Sequence, residues 1–142
     1  MDMRQITPTY FVSPQIDAAD IVAAAAAGIT TVICNRPDSE VPPSHQADAI
    51  EAAALSAGLT FLRLPLTHQT MTPENVGLQT ETIAESTGPV LAYCASGTRS
   101  TVVWALGHAD KLGVDAVLSA ARSGGYDLDN LRPALEAAVA TN

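Results

Sequence analysis

The sequence predicts an α/β fold, in which a central, mostly parallel sheet of four or five strands is flanked by helices. Two observations support this prediction. Short apolar runs alternate with segments that carry helix caps, and the run 30–34 is β-branched without polar alternation, as in strands covered on both faces. The length of 142 residues suits a single domain with a real core, and we expect residues 1–142 to form one.

Strands are predicted where apolar and β-branched residues cluster between turn formers. They lie at residues 10–12, 30–34, 60–66 and 90–93. The third run alternates less cleanly than the others and is predicted to end near Pro65. The fourth follows the breaker Gly88-Pro89, as expected of a central strand entered from a turn.

Helices are predicted from capping residues at their starts and glycines at their ends. Asp17 caps the first and Gly28 closes it, whereas Thr72 and Pro73 begin the third. The predicted helices cover residues 18–27, about 44–57, 73–86, 100 onward, 114–121 and 129–139. The chain beyond the fourth strand is therefore predicted to be all-helical.

Composition excludes some classes of partner. The net charge of −8 argues against nucleic acid and against an anionic membrane surface. No secretory signal or long apolar run is visible, and the two cysteines are expected to be thiols, so we expect a cytoplasmic protein. The histidines His45, His68 and His108 lack a short metal-ligand spacing, so neither a metal nor another cofactor is predicted.

The segment 89–104 carries the clearest sign of chemistry. A strand, a short loop and a helix follow one another, and such a loop turns several backbone N–H groups toward one point, where an anion can bind. The predicted anion-binding loop after Cys94 consists of Ala95, Ser96, Gly97, Thr98 and Arg99. Ser100 is predicted to cap the helix, and a hydrogen bond from Ser100 to the sulfur is a further possibility.

Cys94 is the predicted nucleophile of this loop, with Arg99 and Ser100 as further catalytic residues. We expect the helix dipole, the loop amides and the Arg99 guanidinium to favour the thiolate and to hold an oxyanion against it. The alternative is a cysteine that only packs, since free cysteine mostly behaves as a small apolar residue. The order cysteine, glycine, arginine, serine favours catalysis.

Residues 93–100 resemble two related active loops. Dual-specificity phosphatases have His-Cys, two residues, Gly, two residues and Arg-Ser, whereas this chain has one residue fewer and Tyr93 in place of the histidine. Rhodanese-type sulfurtransferases commonly have Cys, two residues, Gly, one residue and Arg-Ser, which fits here without a gap.

A wider resemblance covers about residues 1–110. The stretches 13–15, 35–38 and 88–94 together resemble the bacterial phosphatase-like domain family of beta-lactamase-hydrolase-like proteins, some members of which are labelled sulfurtransferases. This resemblance implies a cysteine-phosphatase-like fold.

The expected general acid is missing from its usual place. In phosphatases of this type, a loop near residues 67–72 supplies an aspartate that protonates the leaving oxygen, but here this loop holds no acidic residue. His68 could replace that acid, and Asp38 is a second candidate unless it only forms a turn. Arg36 either binds an anion in the pocket or pairs with Asp38 or Glu40 at the surface.

Sulfur transfer is the function that the sequence of this loop favours. A persulfide on Cys94 needs neither a wide ring of donors nor a strong general acid, and the partners would be a small-molecule sulfur donor and a thiol acceptor. The first alternative is a phosphatase that attacks a phosphorylated substrate through Cys94. The second is a non-catalytic, anion-binding regulatory module.

Two further points are left open by the sequence. Cys34 is either a packed thiol or a resolving cysteine for Cys94. The oligomeric state is not predicted.

Overall fold

The computed structural model describes residues 1–141 and contains a five-stranded sheet with helices on both faces. The strands are β1 (Arg4–Thr7), β2 (Tyr10–Ser13), β3 (Thr31–Cys34), β4 (Thr60–Arg63) and β5 (Val90–Tyr93). The helices are α1 (Ala18–Ala26), α2 (Ala47–Ser56), α3 (Pro73–Glu85), α4 (Thr98–Leu112), α5 (Val114–Ser123) and α6 (Arg132–Ala140). Short 3₁₀ turns lie at Asp38–Glu40, Pro43–His45 and Asp129–Leu131.

The sheet order is β1-β2-β5-β3-β4, and every neighbouring pair is parallel except β1 with β2. The predicted fold class is therefore confirmed, including the all-helical part after β5. Because β5 lies in the middle of the sheet, the loop that follows it is surrounded by the ends of β2 and β3. None of the helices within residues 1–141 is long and apolar enough to cross a membrane.

Two apolar layers enclose the sheet. Along β5, Val90 and Ala92 face the layer built with α4, α5 and α6, whereas Leu91 and Tyr93 face the layer built with α1 and α2. The alternation follows from the two-residue period of a strand, which sends successive side chains to opposite faces. Both faces are apolar, so β5 is an unbroken apolar run, as the sequence predicts for a central strand.

Several predicted boundaries were wrong. The strand β1 was missed because its four residues have little apolar alternation, and it pairs as one arm of a hairpin with β2. The strand β4 ends at Arg63, earlier than the predicted end near Pro65. The helix α2 begins only at Ala47, because Pro43–His45 forms a separate 3₁₀ turn, and α6 begins at Arg132 after a similar turn.

Trp104 anchors α4 to the sheet between two other rings. Its ring centre lies 6.1 Å from that of Tyr10 and 5.2 Å from that of His108, both rings are stacked on it, and Trp104 is 1% exposed.

We expect Trp104→Ala to lower the free energy of unfolding by about 3–5 kcal/mol, because the substitution removes a large packed ring and leaves a cavity. Urea unfolding measures this loss. The control Leu112→Ala, at a side chain on the same helix that is 48% exposed, should stay within about 0.5 kcal/mol. Equal losses would contradict the anchoring role.

Candidate active site

Cys94 lies directly after β5, at the carboxyl edge of the sheet, and begins the loop that leads to α4. The residue is 1% exposed, and its Sγ accepts a hydrogen bond from the Gly97 N–H at 3.1 Å. Gly97 has a φ of 94°, in the left-handed region that glycine adopts without strain, and this conformation starts the helix. The sulfur therefore faces a loop amide at the positive end of a 15-residue helix.

Ser100 does not cap the helix as predicted, because α4 already begins at Thr98 with Gly97 in the cap position. Ser100 lies inside the first turn and is fully buried. Its hydroxyl donates to Asn35 Oδ1 at 2.8 Å, so its hydrogen is committed to the end of β3. The exposed part of the loop is held locally, where the hydroxyls of Ser96 and Thr98 lie 3.0 Å apart.

Arg99 forms a bidentate ion pair with Glu40. Its Nη1 donates to Glu40 Oε2 at 3.0 Å and its Nη2 to Oε1 at 2.8 Å, while Nη1 also donates to the carbonyl of Leu66 at 2.9 Å. The hydrogen bonds to Glu40 raise the pKa of Arg99 above its ordinary value, and the nearby Cys94 sulfur adds to that shift. Arg99 thus lies beside the sulfur and is oriented by two loops at once.

Arg36 pairs with Glu40, one of the two arrangements left open by the sequence. Its Nε donates to Glu40 Oε1 at 3.3 Å, its Nη2 to the Glu40 carbonyl at 3.2 Å and its Nη1 to Gln15 Oε1 at 3.3 Å. One carboxylate therefore lies between two guanidinium groups. Arg99 first and Arg36 second hold the pKa of Glu40 below its usual range. Sequence reasoning missed the role of Glu40 toward Arg99, because the pair is 59 residues apart.

The two candidate general acids have different surroundings. Asp38 Oδ1 accepts a hydrogen bond from the backbone N–H of Ala47 at 2.8 Å, so this carboxylate stabilises the start of α2. His68 is exposed on the rim of a cleft of about 480 Å³ beside Arg99. The other residues that line this cleft are Glu40, Thr67, Gln69, Met71, Thr98, Val102 and Leu131. Side chains from three loops thus line this cleft, and of the two candidate acids His68 is the one that lines it.

A buried polar network lies beneath the loop. The side-chain amides of Asn35 and Gln79 pair with each other, with Asn35 Nδ2 donating at 2.8 Å and Gln79 Nε2 donating at 3.2 Å. Gln79 Nε2 also donates to Tyr10 Oη at 3.0 Å, and Tyr10 donates to the Ser100 carbonyl at 2.7 Å. All four residues are fully buried. The sequence offered one signal for this network, an asparagine at the end of a buried strand.

Cys34 packs on the face of the sheet that Tyr93 shares. Its Sγ lies 3.4 Å from the Arg36 carbonyl, and burial raises the pKa of the thiol above its ordinary value. Cys34 and Cys94 are both free thiols. Across residues 1–141, no three His, Cys, Asp or Glu side chains are grouped closely enough to hold a metal ion.

Most of this sequence matches a known protein family. Residues 2–111 match the family model described as "Beta-lactamase hydrolase-like protein, phosphatase-like domain". Two proteins named "Beta-lactamase hydrolase-like protein" are each 30% identical, one from Xylella fastidiosa over 130 residues and one from Agrobacterium fabrum over 109. The alignments cover 90% and 77% of this chain but 30% and 25% of the relatives, so the chain spans less than a third of their length.

Solved structures share the fold. A crystal structure from Neisseria meningitidis, provisionally described as a phosphatase, is 34% identical, with a TM-score of 0.83 over 97% of this chain and 99% of that one. P. aeruginosa TpbA is 20% identical, with a TM-score of 0.67 over 100% of this chain and 85% of its own, which shows the fold alone. The fold of this chain is therefore the one that these solved structures share.

Replacing Glu40 with Gln removes the charge that holds Arg99. Because the pKa of Glu40 is lowered in the fold, the ionised carboxylate adds stability above the ordinary glutamate pKa, and this stability is lost as the pH falls through the lowered value. We expect Glu40→Gln to be less stable than the parent at pH 7, and the difference to shrink below about pH 4.3. Urea unfolding at pH 7, 5 and 3 measures this.

The control for this prediction is Glu136→Gln, because Glu136 is exposed and forms no ion pair with any residue in the range 1–141. Its stability should follow that of the parent at each pH. A Glu40→Gln defect of the same size at pH 7 and pH 3 would show that packing, and not the charge of Glu40, is responsible.

Proposed function

The chain belongs to the phosphatase-like domain family of beta-lactamase hydrolase-like proteins, and from this membership we propose that it is a cysteine-dependent phosphatase acting on phosphomonoesters. The family resemblance expected from the sequence is thereby confirmed. The observation that carries the proposal is the position of Cys94 Sγ, which accepts the Gly97 amide at the start of α4 with Arg99 beside it. We also propose that residues 1–142 act as one catalytic domain.

The sulfur-transfer hypothesis gains no support from the relatives, because the matching family is described as phosphatase-like and the N. meningitidis structure as a phosphatase. The phosphatase alternative fits these descriptions better. The short loop, which favoured sulfur transfer from the sequence, occurs here within a phosphatase-like fold.

Arg99 keeps one edge for a phosphoryl group. A guanidinium carries five N–H hydrogens, and the three hydrogen bonds to Glu40 and Leu66 use both hydrogens of Nη1 and one of Nη2. The Nε hydrogen and the second Nη2 hydrogen lie on the neighbouring edge of the guanidinium, which these three hydrogen bonds do not use. Two parallel N–H groups on one edge match two oxygens of a phosphoryl group, so Glu40 orients Arg99 and leaves this edge for the substrate.

The proposed reaction has two steps. The Cys94 thiolate attacks phosphorus, the bond from phosphorus to the ester oxygen breaks, and His68 in its protonated form gives a proton to the leaving oxygen. Water then attacks the phosphocysteine and gives a proton to His68, the phosphorus–sulfur bond breaks, and phosphate leaves with Cys94 again a thiolate. Loop amides and Arg99 stabilise the equatorial oxygens in both steps.

The leaving group would enter the cleft beside Arg99. Its walls include the apolar side chains of Met71, Val102 and Leu131, which suit an aromatic or other apolar group. P. aeruginosa TpbA, in a cysteine-to-serine variant, has a crystal structure in complex with pTyr. Aryl phosphates, including phosphotyrosine, are therefore the substrates that we propose to test first.

Cys94→Ser should abolish hydrolysis of p-nitrophenyl phosphate, with a loss of roughly 10³-fold or more in kcat/KM, because a serine hydroxyl at the same position is a far weaker nucleophile. Steady-state release of p-nitrophenol measures the rate. The matched control Cys34→Ser, at the other thiol of the chain, should retain it. If the parent instead gains one sulfur atom on Cys94 from thiosulfate, seen by intact mass, and releases no phosphate, sulfur transfer is the better assignment.

His68→Asn should slow substrates with poor leaving groups more than those with good ones, since only a poor leaving group needs the proton. We expect roughly a 10²-fold fall in kcat for phenyl phosphate and a much smaller fall for p-nitrophenyl phosphate. Rates over a series of substituted phenyl phosphates measure this dependence. The control Gln69→Ala changes the next residue of the same loop and should leave it unaltered. An equal loss for all substrates would contradict the role of His68 as an acid.

A further inference from the structure

The Ser96–Gly97 peptide unit is held at both ends. Its carbonyl oxygen accepts a hydrogen bond from the Tyr126 hydroxyl at 2.9 Å, and its N–H donates to Cys94 Sγ at 3.1 Å. In a planar trans peptide the C=O and N–H bonds point in opposite directions. A group that fixes the carbonyl therefore also fixes the direction of the N–H, and Tyr126 and the sulfur lie at opposite edges of this peptide unit.

Tyr126 is itself fixed by its surroundings. It is 6% exposed, its backbone N–H donates to the Ala121 carbonyl at 2.9 Å, and the Arg4 guanidinium lies 5.2 Å from the centre of its ring. Burial raises the pKa of Tyr126 above its ordinary value, so the phenol keeps its proton and donates across the neutral range.

The approach of Tyr126 to the loop also requires glycine at position 97. A Cβ built on Gly97 would lie 2.0 Å from the Tyr126 hydroxyl oxygen, closer than any real contact allows. The positive φ of Gly97 also favours glycine at this position, independently of Tyr126. The tyrosine, the glycine and the sulfur therefore form one continuous set of contacts.

We propose that Tyr126 is a positioning residue for Cys94, acting through the Ser96–Gly97 peptide to aim the Gly97 N–H at the sulfur. A thiolate that accepts a well-aimed amide is stabilised over the thiol. Tyr126 lies beyond residues 2–111, the part of the chain that matches the family model, and sequence reasoning did not single it out. The effect on catalysis rests on the proposed function, whereas the effect on the reactivity of Cys94 does not.

Tyr126→Phe in the full chain tests the proposal, because it removes the hydroxyl and keeps the ring. We measure alkylation of Cys94 by iodoacetamide at fixed pH, using intact mass and peptide mapping, and expect roughly a twofold to tenfold slower rate. The matched control is Tyr93→Phe, which also removes a buried tyrosine hydroxyl, one that lacks a hydrogen-bond partner among residues 1–141. Its Cys94 should react at the parental rate.

Each result decides the question. Slower alkylation of Cys94 at an unchanged rate for Cys34 supports the proposal, and an unchanged rate for both overturns it. Faster alkylation of both cysteines also overturns it, because Tyr126 would then be a general packing residue whose change opens the fold.

If Cys94→Ser retains phosphatase activity, the proposed function fails, but the alkylation assay still tests the role of Tyr126. If the chain is a phosphatase, Tyr126→Phe lowers kcat for aryl phosphates by a similar factor, with KM changed less than about twofold.

Discussion

The amide pair between Asn35 and Gln79 is the interaction on which the shape of the site depends. Both side chains are fully buried, so every polar atom in them must find a partner inside the protein, at a cost of about 1–3 kcal/mol for each one left unmet. The partners come from different elements, since Tyr10 belongs to β2, Ser100 to α4 and Gln79 to α3. The requirements of these atoms are met together only when the first turn of α4 occupies one position. Cys94 lies four residues before Thr98, the first residue of that turn. The same arrangement therefore also determines the position of its sulfur.

Electrostatics at the site are local and run against the charge of the whole chain. The net charge of −8 repels anions at long range, whereas Arg36 and Arg99 with the single carboxylate of Glu40 leave one positive charge beside the cleft. Glu40 does more than neutralise one of the two positive charges, because its bidentate pair with Arg99 also fixes the plane of the Arg99 guanidinium. A flexible arginine would lose side-chain entropy on binding a phosphoryl group, and here part of that entropy is already lost in the free protein.

Local signals in the sequence predicted the sheet and the loop, and tertiary contacts decided the rest. The strands at 30–34 and 90–93 could be predicted because apolar runs between turn formers depend on neighbouring residues alone. Ser100 was assigned to the helix cap because serine is a good cap, but a buried asparagine takes its hydroxyl and Gly97 starts the helix instead. The roles of Gln79 and Tyr126 could not be predicted, because each depends on a partner that is distant in the chain.

The separations along the chain within the buried network have a consequence for folding. Its four members, Tyr10, Asn35, Gln79 and Ser100, are joined by side-chain hydrogen bonds that span 44 to 90 positions. Contacts of this range close only after most of the backbone has collapsed, and their entropy cost falls on the late part of the folding reaction. We therefore expect the loop around Cys94 to reach its native geometry only together with the native topology, and not from the eight-residue motif by itself.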